Sequence, residues 1–321
     1  MSKIHSLISD LDLDLDLLKN IKDRKVDQKH FYTSDEASDI FLKTTENPNP
    51  RIQEQRDSRN FFKFYEDNIG NKSRETALIS LGCGDASLDK KILTELSENK
   101  YNFVYIGVDS SRSMLEKARE NLSKCKFEQV YICSDIGAHN FKSELSAFLG
   151  IYSCRVFAFL GGTIGNIMPT NIVDTLINMI SKDDYLWVDV VSRDGTDEAS
   201  DFKLFKVATE YLSDPNEIAF WFNPLKRLGV PFKNGELTVE MLKENSFGAL
   251  RFKFGFKFYK KTPIEFRGEK ITILPEEDIE LFNIRVYDSE KFIAFFLEHN
   301  FTLMAKLEGE SYGQFLFQKK K

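Results

Sequence analysis

Between Thr76 and Val191, five short and almost wholly apolar runs are separated by stretches with helical spacing, and no other feature restricts the fold as much. The runs are "TALISLG" (76–82), "YNFVYIGVD" (101–109), "FEQVYICSD" (127–135), "RVFAFLGG" (155–162) and "DYLWVDVV" (184–191). Between them, Leu88, Ile92, Leu93 and Leu96 share one helical face, and Met114, Leu115, Ala118 and Leu122 share another behind Ser111 as N-cap. Ile172, Val173, Leu176, Ile177 and Ile180 form a third stripe. Strands apolar on both faces belong to a parallel sheet covered by helices on both sides. Such a sheet receives ligands outside the carboxyl ends of its strands, where the strand order reverses.

Past Val191 the pattern changes. Residues 197–245 read as helical and polar-rich. "GALRFKFGFKFYKK" then alternates strictly, with Phe252, Phe254, Phe256 and Phe258 on one side and Arg251, Lys253 and Lys257 on the other. "EKITILP" and "IELFNIRVY" are further strand candidates, and the last 33 or so residues read as a helix and two strands that complete the first sheet. The expected organisation is α/β: a Rossmann-like domain from residues 61–196 plus 284–321, and a second, α+β lobe from 1–60 plus 197–283.

Composition narrows the function classes. With 42% hydrophobic residues and 29 phenylalanines in 321, the chain can build a large core. A net charge of −6 argues against a dedicated nucleic-acid binder. No apolar segment approaches the ~18 residues of a membrane span, and the N-terminus lacks a signal-peptide pattern. Cys83, Cys125, Cys133 and Cys154 fall at no metal-ligand spacing, and the four histidines are scattered. A soluble, cytoplasmic, metal-free monomer with reduced thiols is expected.

The residues at the strand ends carry the chemistry. Gly82-Cys83-Gly84 gives the chain room to turn against a ligand, although Ser87 stands where a full G-x-G-x-x-G would place its last glycine. Asp109, followed by Ser110, closes the second strand, where a carboxylate can accept both ribose hydroxyls. Asp135, followed by Ile136, closes the third, where an adenine amino group could be met. No phosphate-gripping G-x-x-x-x-G-K-[ST] is present. Asp85 would repel a pyrophosphate but suits a cationic ligand, so S-adenosylmethionine fits better than NAD. The methyltransferases that use it have seven strands, the last antiparallel.

"AFLGGTIGNIMP" resembles the segment that characterises the histidine-specific methyltransferase family. "HFYTSDEASDIF", "YIGVDSS" and "DPNEIAFWFNPLKRLG" extend the similarity over nearly the whole chain. The resemblance implies a class I methyltransferase domain with a substrate lobe built from the N-terminus and the insertion. It places Gly82, Cys83, Asp109, Asp135, Ile136 and Gly161 on the cofactor, with Gly84 and Ser110 beside them, and has Tyr32 close over it. It assigns Asn166 to the amino and carboxylate end of an amino-acid substrate, next to Gly162 and Thr163. Asn166 is then a positioning residue, because its carboxamide both donates and accepts hydrogen bonds.

Other positions depart from the family. Asn49 stands where a substrate-gripping tyrosine is expected, and Leu212 replaces a second one, with Tyr211 adjacent. The imidazole-binding glutamate and serine correspond to Leu281 and Asn283, with Glu280 displaced by one. Leu88 replaces a cofactor-loop lysine, with Lys90 and Lys91 nearby. These changes argue against histidine as the acceptor. The expectation is N-methylation of an amino acid or related small amine by in-line displacement, with the amine's proton leaving to water because no His or Lys base stands out. The alternatives are a protein or RNA methyltransferase and a non-catalytic S-adenosylmethionine-binding protein. "DLDLDLDLL" (10–18) reads as a solvated amphipathic segment, and the Lys/Phe strand as a sheet that buries its phenylalanines.

Overall fold

The computed structural model of the chain describes residues 3–46, 60–138, 140–149, 152–193, 197–309 and 311–320. Its main sheet is built from β1 (Ile4–Ser6), β2 (Thr76–Leu81), β3 (Phe103–Asp109), β4 (Glu128–Cys133), β5 (Cys154–Phe159), β6 (Tyr185–Val191), β12 (Phe301–Gly309) and β13 (Tyr312–Lys319). They lie in the order β1-β4-β3-β2-β5-β6-β13-β12. Strands β1 to β6 pair in parallel, and β13 inserts antiparallel between β6 and β12. The seven expected strands are joined by an eighth, because Ile4–Ser6 adds to the free edge of β4 instead of staying with the second lobe. Strand order reverses between β2 and β5, so the chain leaves these two strands in diverging directions and opens a crevice at their carboxyl ends.

Helices cover both faces. On one lie α6 (Phe141–Leu149), α7 (Pro169–Ile177) and α10 (Ser289–Glu298), which contribute Phe141, Leu176 and Phe292 to a core with Ile79 and Phe157. On the other lie α3 (Phe61–Asn68), α4 (Ser87–Glu98) and α5 (Arg112–Asn121), whose Phe64, Leu93 and Leu115 pack with Tyr105 and Trp187. Ser111 caps α5 as the spacing predicts, its side chain accepting from the Met114 N–H.

The second lobe has its own core around a three-stranded antiparallel sheet in the order β11 (Asp278–Tyr287), β8 (Ala249–Phe258), β7 (Gly235–Glu244), beside the hairpin β9 (Thr262–Phe266)–β10 (Glu269–Ile273). Phe252, Phe254, Phe256 and Phe258 are buried, and the basic residues between them face outward and pair with carboxylates, as Lys253 does with Glu240 at 2.6 Å. Helices α1 (Asp10–Lys22), α2 (Asp35–Glu46), α8 (Glu198–Tyr211) and α9 (Pro215–Arg227) complete the lobe. The helical reading of 197–245 fails after Arg227. Gly235–Glu244 is an edge strand, its alternate Leu237, Val239 and Met241 only half-buried because β7 has a single neighbour.

Two more expectations need correction. The domain boundary drawn at residues 283/284 falls inside β11, which begins in the second core and carries Tyr287 into the first. The aspartates of residues 10–18 are not all solvated. A two-residue repeat wound at 3.6 residues per turn cannot keep one residue type on one face. Asp14 therefore shares the buried stripe of Leu17, Leu18 and Ile21, where Arg227 and Arg267 neutralise it, while Leu11 and Leu15 are left 55% and 53% exposed. Among the described residues, no helix is long and apolar enough to cross a membrane.

Candidate active site

A cavity of about 1470 Å³ lies between the strand ends and the second lobe, lined by residues of both. A pocket for one small ligand holds roughly 300–1,000 Å³, so there is room here for a donor and an acceptor together.

Glycine turns form the wall under the sheet. Gly82 has φ +73°, and a Cβ there would lie 2.5 Å from Thr163 Cγ2, so only glycine lets the turns after β2 and β5 close on each other. The Thr163 hydroxyl donates to the Leu160 carbonyl at 3.1 Å, and the Gly161 N–H donates to the buried Asp189 carboxylate at 3.0 Å. Gly162, at φ +80°, starts a 3-10 turn over Thr163–Asn166. The turn is clamped from behind by β11. Tyr287 donates its hydroxyl to the Ile164 carbonyl at 3.2 Å, and the Arg285 carbonyl crowds Gly165, where a Cβ would lie 3.1 Å from it. Asn166 is thus presented to the cavity with its carboxamide free of any hydrogen bond among the described residues.

Asp109 organises the next strand end. Its carboxylate accepts the Gly84 N–H at 2.9 Å and the Ser111 N–H at 2.8 Å, tying the glycine turn to the start of α5. Burial pushes this carboxyl up, against the pull of the Ser111, Gly84 and Ser110 N–H groups. Lone pairs remain for two hydroxyls of a ribose.

Asp135 lines the cavity but is not waiting for a ligand alone. Lys29, from the 3-10 turn Gln28–Tyr32, reaches it at 2.5 Å, and the Gly137 N–H donates to its other oxygen at 2.8 Å. Lys29 also lies 2.9 Å from Asp16, which pairs with the buried His30 at 2.8 Å. Burial would raise the Asp16 carboxyl, yet His30 and Lys29 outweigh it and bring it down to about 2. The same turn delivers Tyr32. Its carbonyl accepts from the Ser111 hydroxyl at 2.6 Å, and its ring lies 5.0 Å from Phe41 and 5.3 Å from Phe220. The N-terminal segment is in this way fastened across the strand ends. No local pattern marks Lys29 or Asp16, since their partners Asp135 and His30 are 106 and 14 residues away.

The side facing the second lobe is made of side chains. At Leu281 the register of β11 against β8 slips, Glu280 pairing with Gly255 and Phe282 with Phe254. This β-bulge inserts one residue and reverses the alternation, so Glu280 and Asn283 fall on one face instead of opposite ones. Asn283 Nδ2 indeed donates to Glu280 at 2.8 Å, and both line the cavity beside Arg251 and Arg285. Leu281 turns into the core. The residues that share this face are therefore Glu280 and Asn283 rather than Leu281 and Asn283. Asn283 Oδ1 is buried with no partner among the described residues. Tyr211 lines the cavity next to Trp221, with ring centroids 6.1 Å apart.

Of the expected residues, Tyr32, Gly82, Gly84, Asp109, Ser110, Asp135, Ile136, Gly161, Gly162, Thr163, Asn166, Tyr211 and Asn283 share this one cavity. Asn49 lies outside the described residues. Cys83 is not part of the lining. Its Sγ packs over Gly107, where an added Cβ would sit 3.2 Å from it, and burial pushes its thiol well up. Asp85 also turns away. It accepts the Ser87 N–H at 3.1 Å at the start of α4, because the left-handed Ala86 that follows swings the chain into the helix. Glu217, on α9, lines the cavity and escaped the sequence reading. Its spacing from Asp214 is that of a capping box, and a reader of the pattern would place it there. Asp214 instead caps through the Asn216 N–H, at 2.8 Å, and leaves Glu217 to the cavity.

The donor set suits S-adenosylmethionine. Carboxylates and glycine turns line the strand ends, among the described residues no cation lines the cavity at the Gly82–Gly84 turn to take a phosphate, and Lys29 and Arg285 are neutralised by Asp16 and Asp135 and by Glu244 at 2.7 Å.

Among solved structures, the chain is similar to a S-adenosylmethionine-dependent methyltransferase from Clostridium acetobutylicum ATCC 824, at 11% identity and TM-score 0.40, covering 98% of this chain and 100% of that one. It is similar as well to a SAM-dependent methyltransferase from Anabaena variabilis ATCC 29413, at 12% identity and TM-score 0.48, covering 88% and 93%. A third is the CcbJ methyltransferase from Streptomyces caelestis, at 14% identity and TM-score 0.41, covering 82% and 95%. No curated protein matches the chain. The model of the family described as histidine-specific, SAM-dependent methyltransferase matches residues 13–319. The chain belongs to this family and is an enzyme that takes S-adenosylmethionine as its methyl donor.

Proposed function

We propose that the enzyme N-methylates a free amino acid or related small amine whose side chain carries a hydrogen-bond donor. The observation that carries this reading is the Asn166 carboxamide, unengaged and held by a clamped turn next to Gly161 and Gly162, in a cavity with room for two ligands. A carboxamide in that place can accept from an ammonium and donate to a carboxylate of the same molecule. The buried Asn283 Oδ1 asks for a donor from the ligand's far end, since leaving it unpaired costs about 1–3 kcal/mol.

S-adenosylmethionine supplies an electrophilic methyl group on a sulfonium. Asp109 would hold the ribose, Asp135 and Ile136 the adenine edge, and the Gly82–Gly84 turn the amino-acid end. Tyr32 and the segment behind it would exclude water, and Asn166 would align the acceptor nitrogen. We place the enzyme in the cytoplasm as a monomer acting on small molecules rather than nucleic acid, a reading supported by four free thiols and a net charge of −6.

The test is transfer of methyl label from S-adenosylmethionine to histidine, to each other amino acid and to a small-metabolite extract, with mass spectrometry of the products. Label in a free amine supports the reading. Label only in protein or RNA would replace it with a macromolecular methyltransferase.

A further inference from the structure

We propose that Glu217 is the catalytic base that takes the proton from the acceptor's ammonium group. The inference rests on the small-amine reading above and adds to it the residue that readies the nucleophile.

Glu217 stands in the first turn of α9 and lines the shared cavity. Three residues on, and so on the same helix face, Phe220 packs against Tyr32, and the Tyr32 carbonyl is bonded to Ser111 at the ribose end. This places the carboxylate on the second lobe's wall next to the tyrosine that borders the donor. It is half-buried, and among the described residues it makes no hydrogen bond and no ion pair.

The titratable groups around it give it no cation. Asp214 caps its helix and acts on it, Tyr32 of the N-terminal turn feels its charge, and Glu210 and Tyr211 at the end of α8 line the same cavity. Burial, helped by the Asp214 charge, pushes the Glu217 carboxyl up to about 7, where it can accept a proton and release it again near neutrality. Buried carboxylates that serve the fold are partnered elsewhere in the chain, Asp14 by Arg227, Asp201 by Arg193 and Asp89 by the Tyr105 hydroxyl, whereas Glu217 has neither a cation nor a donor among the described residues.

The step balances simply. An N–H bond of the ammonium breaks, its pair stays on nitrogen, and the proton forms an O–H bond on Glu217. That nitrogen pair then forms the N–C bond as the C–S bond breaks, leaving its pair on sulfur and a neutral thioether. The proton on Glu217 passes to water before the next turnover.

The test uses the full chain and two ligands, S-adenosylhomocysteine and sinefungin, the analogue with an amine in place of the transferable methyl. Calorimetry at pH 7 in buffers of different ionisation enthalpy counts protons exchanged on binding. Sinefungin should release up to about half a proton more than S-adenosylhomocysteine from wild type, because its cation drives Glu217 to ionise. In Glu217→Gln that difference should vanish while S-adenosylhomocysteine affinity stays within about twofold, which also shows that the variant is folded. With the amine that accepts label, Glu217→Gln should slow turnover and remove the acid limb near pH 7. Persistence of the proton difference in the variant, its absence from wild type, or an unchanged pH profile overturns the assignment. Failure of both ligands to bind wild type overturns the donor site itself, and this inference with it.

Discussion

Around Gly82, Asp109 and Gly161, the cavity wall is main chain at the ends of parallel strands, each turn bonded to its neighbour. Around Glu280, Asn283 and Arg251, it is side chains on an antiparallel sheet, positioned by one bulge. The first kind of wall offers a ligand tightly turned main chain, held in place by the Asp109 and Asp189 carboxylates that accept from its N–H groups. The second can be changed residue by residue without disturbing the sheet. An invariant donor and a variable acceptor are suited to these two walls respectively.

The comparison can be broken by experiment. The largest effect is expected at Asp109. Its replacement by alanine strands the Gly84 and Ser111 N–H groups and deletes the ribose acceptor, which should cost about 3 kcal/mol or more, at least on the order of 100-fold in S-adenosylhomocysteine affinity. Equal affinity for variant and wild type in calorimetry would show that the donor does not sit there.

Asn166→Ala tests the acceptor end of the same wall. Donor affinity should stay within about twofold while methyl transfer falls roughly 10- to 100-fold, the loss of one or two hydrogen bonds to charged groups. A matching loss of donor affinity would move Asn166 to the cofactor side.

Gly82→Ala asks whether the two glycine turns depend on each other. The new methyl would meet Thr163 Cγ2, and the left-handed backbone strains any side chain, so a stability loss of about 1–3 kcal/mol is expected in denaturant unfolding. Adding Thr163→Ser removes the clashing methyl and should recover part of the loss. No recovery in the double variant would separate the turns.

The smallest change is expected for Asn283→Ala. It should leave donor binding alone and raise the acceptor's KM about 5- to 10-fold, one hydrogen bond's worth. A wild-type KM would mean that the acceptor stops short of β11.

How much of this was legible varies with the range of the interaction. The five strands, three of the four helices between them (α4, α5 and α7, but not α6), and the strand- or turn-end positions of Asp109 and Asn166 are legible, because periodicity and strand-end position are local properties. The resemblance puts Cys83 on the cofactor and its charge suits Asp85 to a cationic ligand, but their side chains follow the space over Gly107 and the left-handed turn at Ala86, neither of which leaves a mark in the pattern. That Glu280 and Asn283 share a face is hidden for the same reason. Strict alternation is the only rule a sequence offers for a strand, and a bulge suspends it without any signature residue at Leu281.

The sequence by itself thus determined the parallel sheet and its ligand edge. These follow from hydrophobic burial at periods of 2 and 3.6 and from the glycines that the backbone needs at tight turns. Only the tertiary structure decided that Lys29 crosses to Asp135, that Glu280 and Asn283 act as a pair, and that Glu217 leaves its helix cap for the cavity. Each depends on where a side chain finds a partner far along the chain, or finds none, and that is settled by packing between elements rather than within them.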